Sequence, residues 1–110
     1  MSTSYAVVVP AYNEAGNLTE LCERIEKTFA EFGNRENFEI LIVDDGSTDG
    51  TADLLQTLSA DKPLVRFIRF RRNSGKSLAL MAGFQHVDAD IVVTLDGDLQ
   101  DHPEEIPLLV

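Results

Sequence analysis

Hydrophobic residues along this 110-residue chain follow two kinds of spacing that alternate from one end to the other. Short, nearly continuous apolar runs rich in Val, Ile and Phe predict β-strands. Apolar residues at helical spacing between these runs predict α-helices. The predicted strands are residues 6–10, 38–44, 65–70 and 91–96, and the predicted helices lie over residues 18–32, around 54–58, and over 75–87.

The resulting β-α-β-α-β-α-β order predicts an α/β fold with a parallel, right-handed, Rossmann-like sheet. The strands are apolar along almost their whole length, which is typical of strands covered on both faces. The third helix is apolar over residues 78–83, so we expect it to be well buried.

Charge and composition narrow the class of partner. The chain has 9 basic and 19 acidic residues, a formal net charge of −10, which argues against a nucleic-acid partner because phosphate backbones are bound by clustered Lys and Arg. Cys22 is the single cysteine, so no intrachain disulfide is expected, and we expect it to pack in the core. No apolar run approaches the roughly 20 residues that a transmembrane helix requires, and the first residues lack the pattern of a secretory signal.

Polar, turn-forming segments follow all four predicted strands. They are residues 10–14, 44–47, 71–76 and 96–100. Ligands of an open α/β sheet bind outside the carboxyl ends of its strands. Because all four segments lie at that edge, the sequence predicts one ligand crevice.

Two carboxylates, Asp96 and Asp98, stand directly behind the fourth strand. A pair at this place suits Mg²⁺ or Mn²⁺, which takes oxygen ligands and is usually shared between protein carboxylates and substrate phosphates. The pair therefore points to a nucleoside diphosphate. The alternative is an ordinary acidic surface turn, because such triplets are common.

The other segments each allow two interpretations. Asp44 and Asp45 either cap the helix that follows them or bind a ligand. Tyr12 either packs in the structure or stacks on a nucleobase. The basic turn ending in Lys76 is either a solvated surface or a diphosphate site at the start of a helix.

On these residues the chain resembles the family 2 inverting glycosyltransferases of GT-A fold, and within them the dolichol-phosphate mannosyltransferases and bacterial polyprenyl-phosphate glycosyltransferases. The resemblance rests on residues 8–14, 43–51 and 96–101, which occur in the family's order, and it extends over residues 5–110. It implies that residues 1–110 are the N-terminal, nucleotide-sugar-binding part of a longer glycosyltransferase domain, here truncated.

The resemblance also implies roles for individual residues, none of them catalytic. Those implied to hold the nucleotide-sugar are Pro10, Tyr12, Glu14, Val43, Asp45, Lys76, Asp96 and Gly97. Those implied to bind the metal, Mg²⁺ or Mn²⁺, are Asp98 and Gln100.

The implied reaction is transfer of a sugar, with inversion, from a nucleoside-diphosphate sugar to an acceptor such as a polyprenyl phosphate, a lipid phosphate. The chain alone is expected to bind the donor without transferring the sugar, in the cytoplasm or at the cytoplasmic face of a membrane. One alternative is a non-catalytic nucleotide-sugar-binding or interaction fragment. Another is a receiver-like phosphoryl-transfer domain that holds magnesium at Asp44 and Asp45. We also expect that an exposed sheet edge can form a homo-oligomer.

Overall fold

A computed structural model of the protein describes residues 3–32 and 37–97. Its elements, in chain order, are β1 (Tyr5–Ala11), α1 (Leu18–Phe32), β2 (Phe38–Asp44), α2 (Thr51–Asp61), β3 (Val65–Arg69), α3 (Lys76–Gln85) and β4 (Ile91–Thr94). The alternating order of strands and helices predicted from the sequence is confirmed.

The four strands form one parallel sheet in the order β3-β2-β1-β4. In its register Val9 pairs with Ile42 of β2, and Val7 pairs with Val93 of β4. The chain therefore moves outward from β1 to β3 and then returns through α3 to the other side of β1. Such a reversal of strand order opens a crevice at the carboxyl ends of the strands, which is where ligands of open α/β sheets bind.

The larger core lies between the sheet and the helices α1 and α2. The rings of Phe29 in α1 and Phe38 in β2 stack there, with centroids 4.4 Å apart. Cys22 is buried in the same core, as expected. Desolvation by burial is the main reason why the pKa of its thiol rises from 9.0 to about 12.

The expectation that α3 is well buried is wrong for its outer side. Ala79 and Gly83 face the sheet and are buried, whereas Leu78, Met81 and Phe84 are 51%, 54% and 48% exposed. In the described part of the chain, Ala79 of α3 is buried against Val8 and Val43 in a small core on this face of the sheet. Apolar residues occur on all sides of α3, so those on the side away from the sheet are exposed to solvent.

None of the helices in the described ranges combines the length and the apolar character needed to cross a bilayer.

Candidate functional site

The loop after β1 is fastened to the loop after β2 through Asn13. Its backbone N–H donates to the Ser47 hydroxyl over 2.8 Å, and its side-chain Oδ1 accepts from the backbone N–H groups of Thr48 and Asp49 at 2.8 and 3.3 Å. Asn13 itself has a φ of +54°, in the left-handed region that asparagine adopts more readily than most residues. This role was not predicted, although that preference was a signal for it. Hydrogen bonds thus connect the two loops, and Tyr12, the residue before Asn13, is 44% exposed.

Asp44, at the end of β2, is fully buried and shapes its own turn. Its Oδ1 accepts the Ser47 N–H at 3.0 Å, while its Oδ2 is buried without a hydrogen-bond partner among the described residues. At the start of the next helix, α2, the backbone N–H of Thr51 instead donates to the carboxylate of Asp49 at 2.9 Å. Asp44 therefore stabilises the turn, and of the two interpretations left open for it, the one in which it caps α2 does not hold.

Asp45 contacts the turn that leads into α3. One carboxylate oxygen accepts the Ser74 N–H at 2.6 Å, and the other accepts the Gly75 N–H at 3.0 Å and the Asn73 side-chain amide at 3.1 Å. The side chain is 5% exposed. Asp45 therefore does not cap α2 but stabilises the turn that precedes α3, and its role in binding a ligand stays a prediction.

The loops after β2 and β3 also touch through their backbones at Gly46. A Cβ atom placed on Gly46 would lie 2.2 Å from the carbonyl carbon of Arg72 and 2.3 Å from the backbone nitrogen of Asn73. Both distances are far below van der Waals contact, so only glycine fits. The two loops are therefore interlocked on either side of Asp45.

Lys76 and Asp96 form an ion pair across the crevice, with 2.5 Å between Nζ and Oδ1. Lys76 is the first residue of α3, where the helix dipole adds positive potential. Asp96 follows the end of β4, which stops at Thr94 and not at residue 96 as predicted. The shorter strand lets Asp96 turn into the crevice. A cation beside a helix N-terminus is a suitable place for a diphosphate.

These segments line an open cavity of about 440 Å³ at the carboxyl edge of the sheet. Its lining comprises Pro10, Ala11, Tyr12, Glu14, Asp45, Asn73, Gly75, Lys76, Asp96 and Gly97. Among the residues predicted to hold the nucleotide-sugar, Val43 alone is missing from this lining, because its side chain is fully buried between the sheet and α3. Ala11, Asn73 and Gly75 also line the cavity but are not among the predicted site residues.

The donor set of this cavity suits a hard divalent cation. Glu14 and Asp96 bring carboxylates to it, and Mg²⁺ or Mn²⁺ is commonly held by one or two carboxylates together with substrate phosphates. Within residues 3–32 and 37–97, no three His, Cys, Asp or Glu side chains come together as a metal-binding group. Asp98 and Gln100 lie outside the described residues, so their metal-binding role stays a prediction.

The receiver-like interpretation is disfavoured by the same geometry. It requires an accessible Asp44–Asp45 pair, whereas Asp44 is 0% and Asp45 is 5% exposed. The oxygens of Asp45 are bonded to the turn before α3. This leaves little surface for a magnesium ion or an incoming phosphoryl group.

Solved structures share this architecture. A mannosyltransferase from Pyrobaculum calidifontis, solved with GDP-Man and Mn²⁺, superposes with a TM-score of 0.79 and 30% identity, over 89% of this chain and 28% of that one. A glucosyl-3-phosphoglycerate synthase from Mycobacterium tuberculosis, solved with Mn²⁺, UDP and phosphoglyceric acid, superposes with a TM-score of 0.76 and 26% identity, over 99% of this chain and 38% of that one. The predicted α/β fold of GT-A type is confirmed.

Similar sequences point the same way. The chain is 48% identical over 107 residues to an undecaprenyl-phosphate 4-deoxy-4-formamido-L-arabinose transferase from Pseudomonas syringae, and 45% identical over 106 residues to one from Klebsiella pneumoniae. Each match covers 96% of this chain but only 31% and 32% of the relative. The chain thus spans about a third of the relatives' length. Residues 6–110 match the model of glycosyl transferase family 2, and with the sheet and cavity described above this shows that the chain belongs to that family.

Proposed function

We propose that this chain is the donor-binding part of a glycosyltransferase that moves a sugar, with inversion, from a nucleoside-diphosphate sugar to a polyprenyl phosphate. One observation carries the proposal: the loops after all four strands meet in one cavity. That cavity presents an exposed aromatic ring, a lysine ammonium and carboxylates, which match the base, the diphosphate and its counter-cation.

The nucleoside occupies the side of the cavity formed by the loop after β1. The half-exposed ring of Tyr12 offers a face for stacking on a base, an interaction of about 1–3 kcal/mol. Pro10 and Glu14 line the same side. Stacking accepts any base, so this side by itself does not select one.

The diphosphate occupies the side formed by α3 and β4. There Lys76 stands at the N-terminus of α3, facing Asp96 and next to Gly97. In the reaction the acceptor oxygen attacks the anomeric carbon while the bond to the diphosphate oxygen breaks on the opposite face, which inverts the configuration. The departing nucleoside diphosphate gains negative charge, and a preorganised ammonium stabilises that charge in the transition state. Mg²⁺ or Mn²⁺, when bound, acts as a further Lewis acid for the same oxygens.

The acceptor assignment is supported by the relatives' own names, which specify undecaprenyl phosphate. A phosphate oxygen is already anionic near neutral pH, so the attack needs no strong general base. With a lipid acceptor, transfer takes place at the cytoplasmic face of a membrane. The relatives are about three times as long as this chain. We propose that acceptor binding and turnover require the part of the relatives that this chain does not cover.

Calorimetry with UDP and GDP, with and without Mn²⁺, tests the donor site. We expect one of the two nucleotides to bind the 110-residue chain, more tightly with Mn²⁺, and no labelled sugar to reach undecaprenyl phosphate. Lys76→Ala and Asp96→Asn should each weaken binding about tenfold or more, as expected for loss of a charge-assisted contact.

Lys27→Ala and Asp61→Asn are matched controls, since both residues are exposed and lie outside the cavity lining. They should leave nucleotide affinity within twofold of the original chain. The proposed donor site is wrong if neither nucleotide binds, or if the control variants weaken binding as much as the cavity variants. Sugar transfer by the isolated chain would overturn the statement that it binds the donor only.

Self-association through the sheet edge is a separate part of the proposal. Within the described residues β4 pairs with β1 alone, and its Val92 is 38% exposed. An edge strand of this kind is able to pair with another copy. Sedimentation velocity should then show a dimer whose fraction rises with protein concentration. A monomer at all concentrations would contradict self-association through the sheet edge.

A further inference from the structure

The outer side of α3 concentrates exposed apolar surface. Of the five large hydrophobic side chains that are exposed among the described residues, three lie there: Leu78, Met81 and Phe84. A groove of about 280 Å³ runs along this side, lined by Phe70, Ser74, Leu78, Met81, Ala82 and Gln85. Contiguous exposed apolar surface on a soluble domain marks contact with another protein or with a membrane.

The segment that contains α3 differs from the rest of the chain in charge. Residues 62–87 hold six of the nine basic residues and no acidic residue, although the whole chain has a formal net charge of −10. Among the described residues, Lys62, Arg66 and Lys76 form ion pairs with carboxylates of other segments. Arg71 and Arg72 are exposed and form no ion pair there. Their charges are therefore available to a partner.

The two arginines stand at one end of the groove. They lie in the chain between Phe70 and Ser74, both of which line it. This end is also the N-terminus of α3, where the helix dipole adds positive potential. Apolar and basic groups thus form one continuous surface.

The opposite face of the sheet carries negative charge. Helices α1 and α2 cover that face, and their exposed residues include Glu20, Glu23 and Asp53. Arg69 lies on that face as well, because side chains alternate along a strand and its neighbour Ile68 packs in the core beneath α3. The molecule therefore has one acidic face and one face that is basic and apolar.

We propose that the outer side of α3, together with Arg71 and Arg72, is a docking surface for a membrane that contains anionic lipids. The guanidinium groups pair with lipid phosphates, since Arg matches phosphate oxygens with two parallel hydrogen bonds. The apolar side chains of α3 enter the boundary between headgroups and acyl chains, as those of interfacial helices do.

The net negative charge of the chain does not prevent this contact. Attraction between basic residues and an anionic lipid surface acts within about one Debye length, roughly 8 Å at physiological ionic strength. The fold is 24 Å across even in its shortest direction, so the acidic face is screened from a membrane at α3. The separation of charge also orients the molecule, with the acidic face away from the lipid.

Docking through α3 brings the cavity to the membrane, because Lys76 is both the first residue of α3 and part of the cavity lining. The phosphate of a lipid acceptor lies at that same level. The inference goes beyond the proposed function, since the groove shares no residue with the cavity and docking requires no donor.

Vesicle co-sedimentation of the 110-residue chain tests the inference. Vesicles of equal parts phosphatidylglycerol and phosphatidylcholine are compared with vesicles of phosphatidylcholine alone, without nucleotide. We expect binding to the anionic vesicles to be at least about tenfold tighter, and to weaken as salt is raised, because salt screens exposed charges.

Paired variants locate the surface. Arg71→Gln combined with Arg72→Gln should weaken binding to the anionic vesicles about tenfold or more. Lys27→Gln combined with Arg69→Gln is the matched control: it removes the same charge from exposed residues on the acidic face and should change binding by less than about twofold. Met81→Gln combined with Phe84→Gln should also weaken binding about tenfold, through loss of apolar contact.

A fluorescent probe tests the orientation without removing any docking residue. An environment-sensitive dye on Gln85→Cys, in the groove, should shift to shorter wavelength when anionic vesicles are added. The same dye on Glu23→Cys, on α1, should not shift. Cys22 is buried and should not compete for the dye.

The inference is overturned if the chain binds neither kind of vesicle, if the control pair weakens binding as much as the Arg71 and Arg72 pair, or if both dye positions shift equally. If vesicles do not bind but the Met81 and Phe84 pair abolishes a dimer in sedimentation velocity, this side of α3 is instead a contact between copies. Calorimetry with UDP and GDP is run without vesicles, so failure of the donor site and failure of membrane docking are separate results.

Discussion

Gly46→Ala is expected to destabilise the fold more than any other glycine-to-alanine change in the loops around the cavity. The added Cβ would lie 2.2 and 2.3 Å from backbone atoms of Arg72 and Asn73. Backbone atoms cannot rotate away as the end of a flexible side chain can, so one loop has to shift. Gly46 also has φ +74°, where any residue with a Cβ is strained.

The cost has two parts. The left-handed backbone contributes about 1–2 kcal/mol for a residue with a Cβ. Forcing a methyl group into a closely packed place contributes about 1–3 kcal/mol. Gly46→Ala should therefore lower the free energy of unfolding by about 2–5 kcal/mol, a large share of the roughly 5–15 kcal/mol typical of a domain.

Urea unfolding followed by circular dichroism measures this for three variants that separate the two parts. Gly50 has φ −83° and open space around it, so Gly50→Ala should change the free energy of unfolding by less than about 0.5 kcal/mol. Gly75 has φ +102° with open space, so Gly75→Ala should cost about 1–3 kcal/mol from strain alone. Gly46→Ala should cost the most, because it has both.

The reasoning is refuted if Gly46→Ala is as stable as Gly50→Ala. If Gly75→Ala costs as much as Gly46→Ala, the close approach of the two loops does not contribute, and the interlocked arrangement around Asp45 would be wrong.

Three further outcomes are expected. The pKa of the Cys22 thiol is raised to about 12 by burial, so the thiol's contribution to stability is complete below pH 9 and is lost as the pH rises from 9 towards 12, which the urea midpoint across this window measures. Asn13→Ala removes the acceptor of two backbone N–H groups and should lower the free energy of unfolding by about 1–2 kcal/mol in the same assay. Replacing Met81 and Phe84 by Lys and Gln should reduce light scattering of concentrated solutions with little change in the urea midpoint, because both side chains are about half exposed.

Each of these has its own control. Cys22→Val should remove part of the alkaline loss of stability, and an unchanged pH profile would show that the thiol is not its source. Asn13→Asp keeps a side-chain acceptor and should recover most of the loss, so equal losses for Ala and Asp would count against the hydrogen bonds. If the α3 substitutions lower the urea midpoint as strongly as substitutions in the core do, the outer side of α3 is packed and not exposed.

How far the site was predictable differs from residue to residue. Tyr12, Lys76 and Asp96 were predicted to share one cavity, and they do, because each belongs to a segment that follows a strand and parallel strands end at the same edge. Val43 was predicted beside them but is buried beneath α3. It is the last apolar residue before the turn, and alternation of side chains across a strand decides which face it takes. The motif at residues 43–51 identified a segment of the site, but it did not specify the direction of the Val43 side chain.

The sequence by itself determined the type and order of the elements, because the apolar runs and the helical spacing are local properties of the chain. It also determined which segments carry the polar residues of the site. Tertiary structure alone decided the strand order, the exposed outer side of α3, and the partner of Asp45. That carboxylate is bonded to residues 28 to 30 positions further along the chain, and no local spacing specifies which turn is brought beside it. Only the pairing of β2 with β3 places the turn there, since it sets the ends of the two strands side by side.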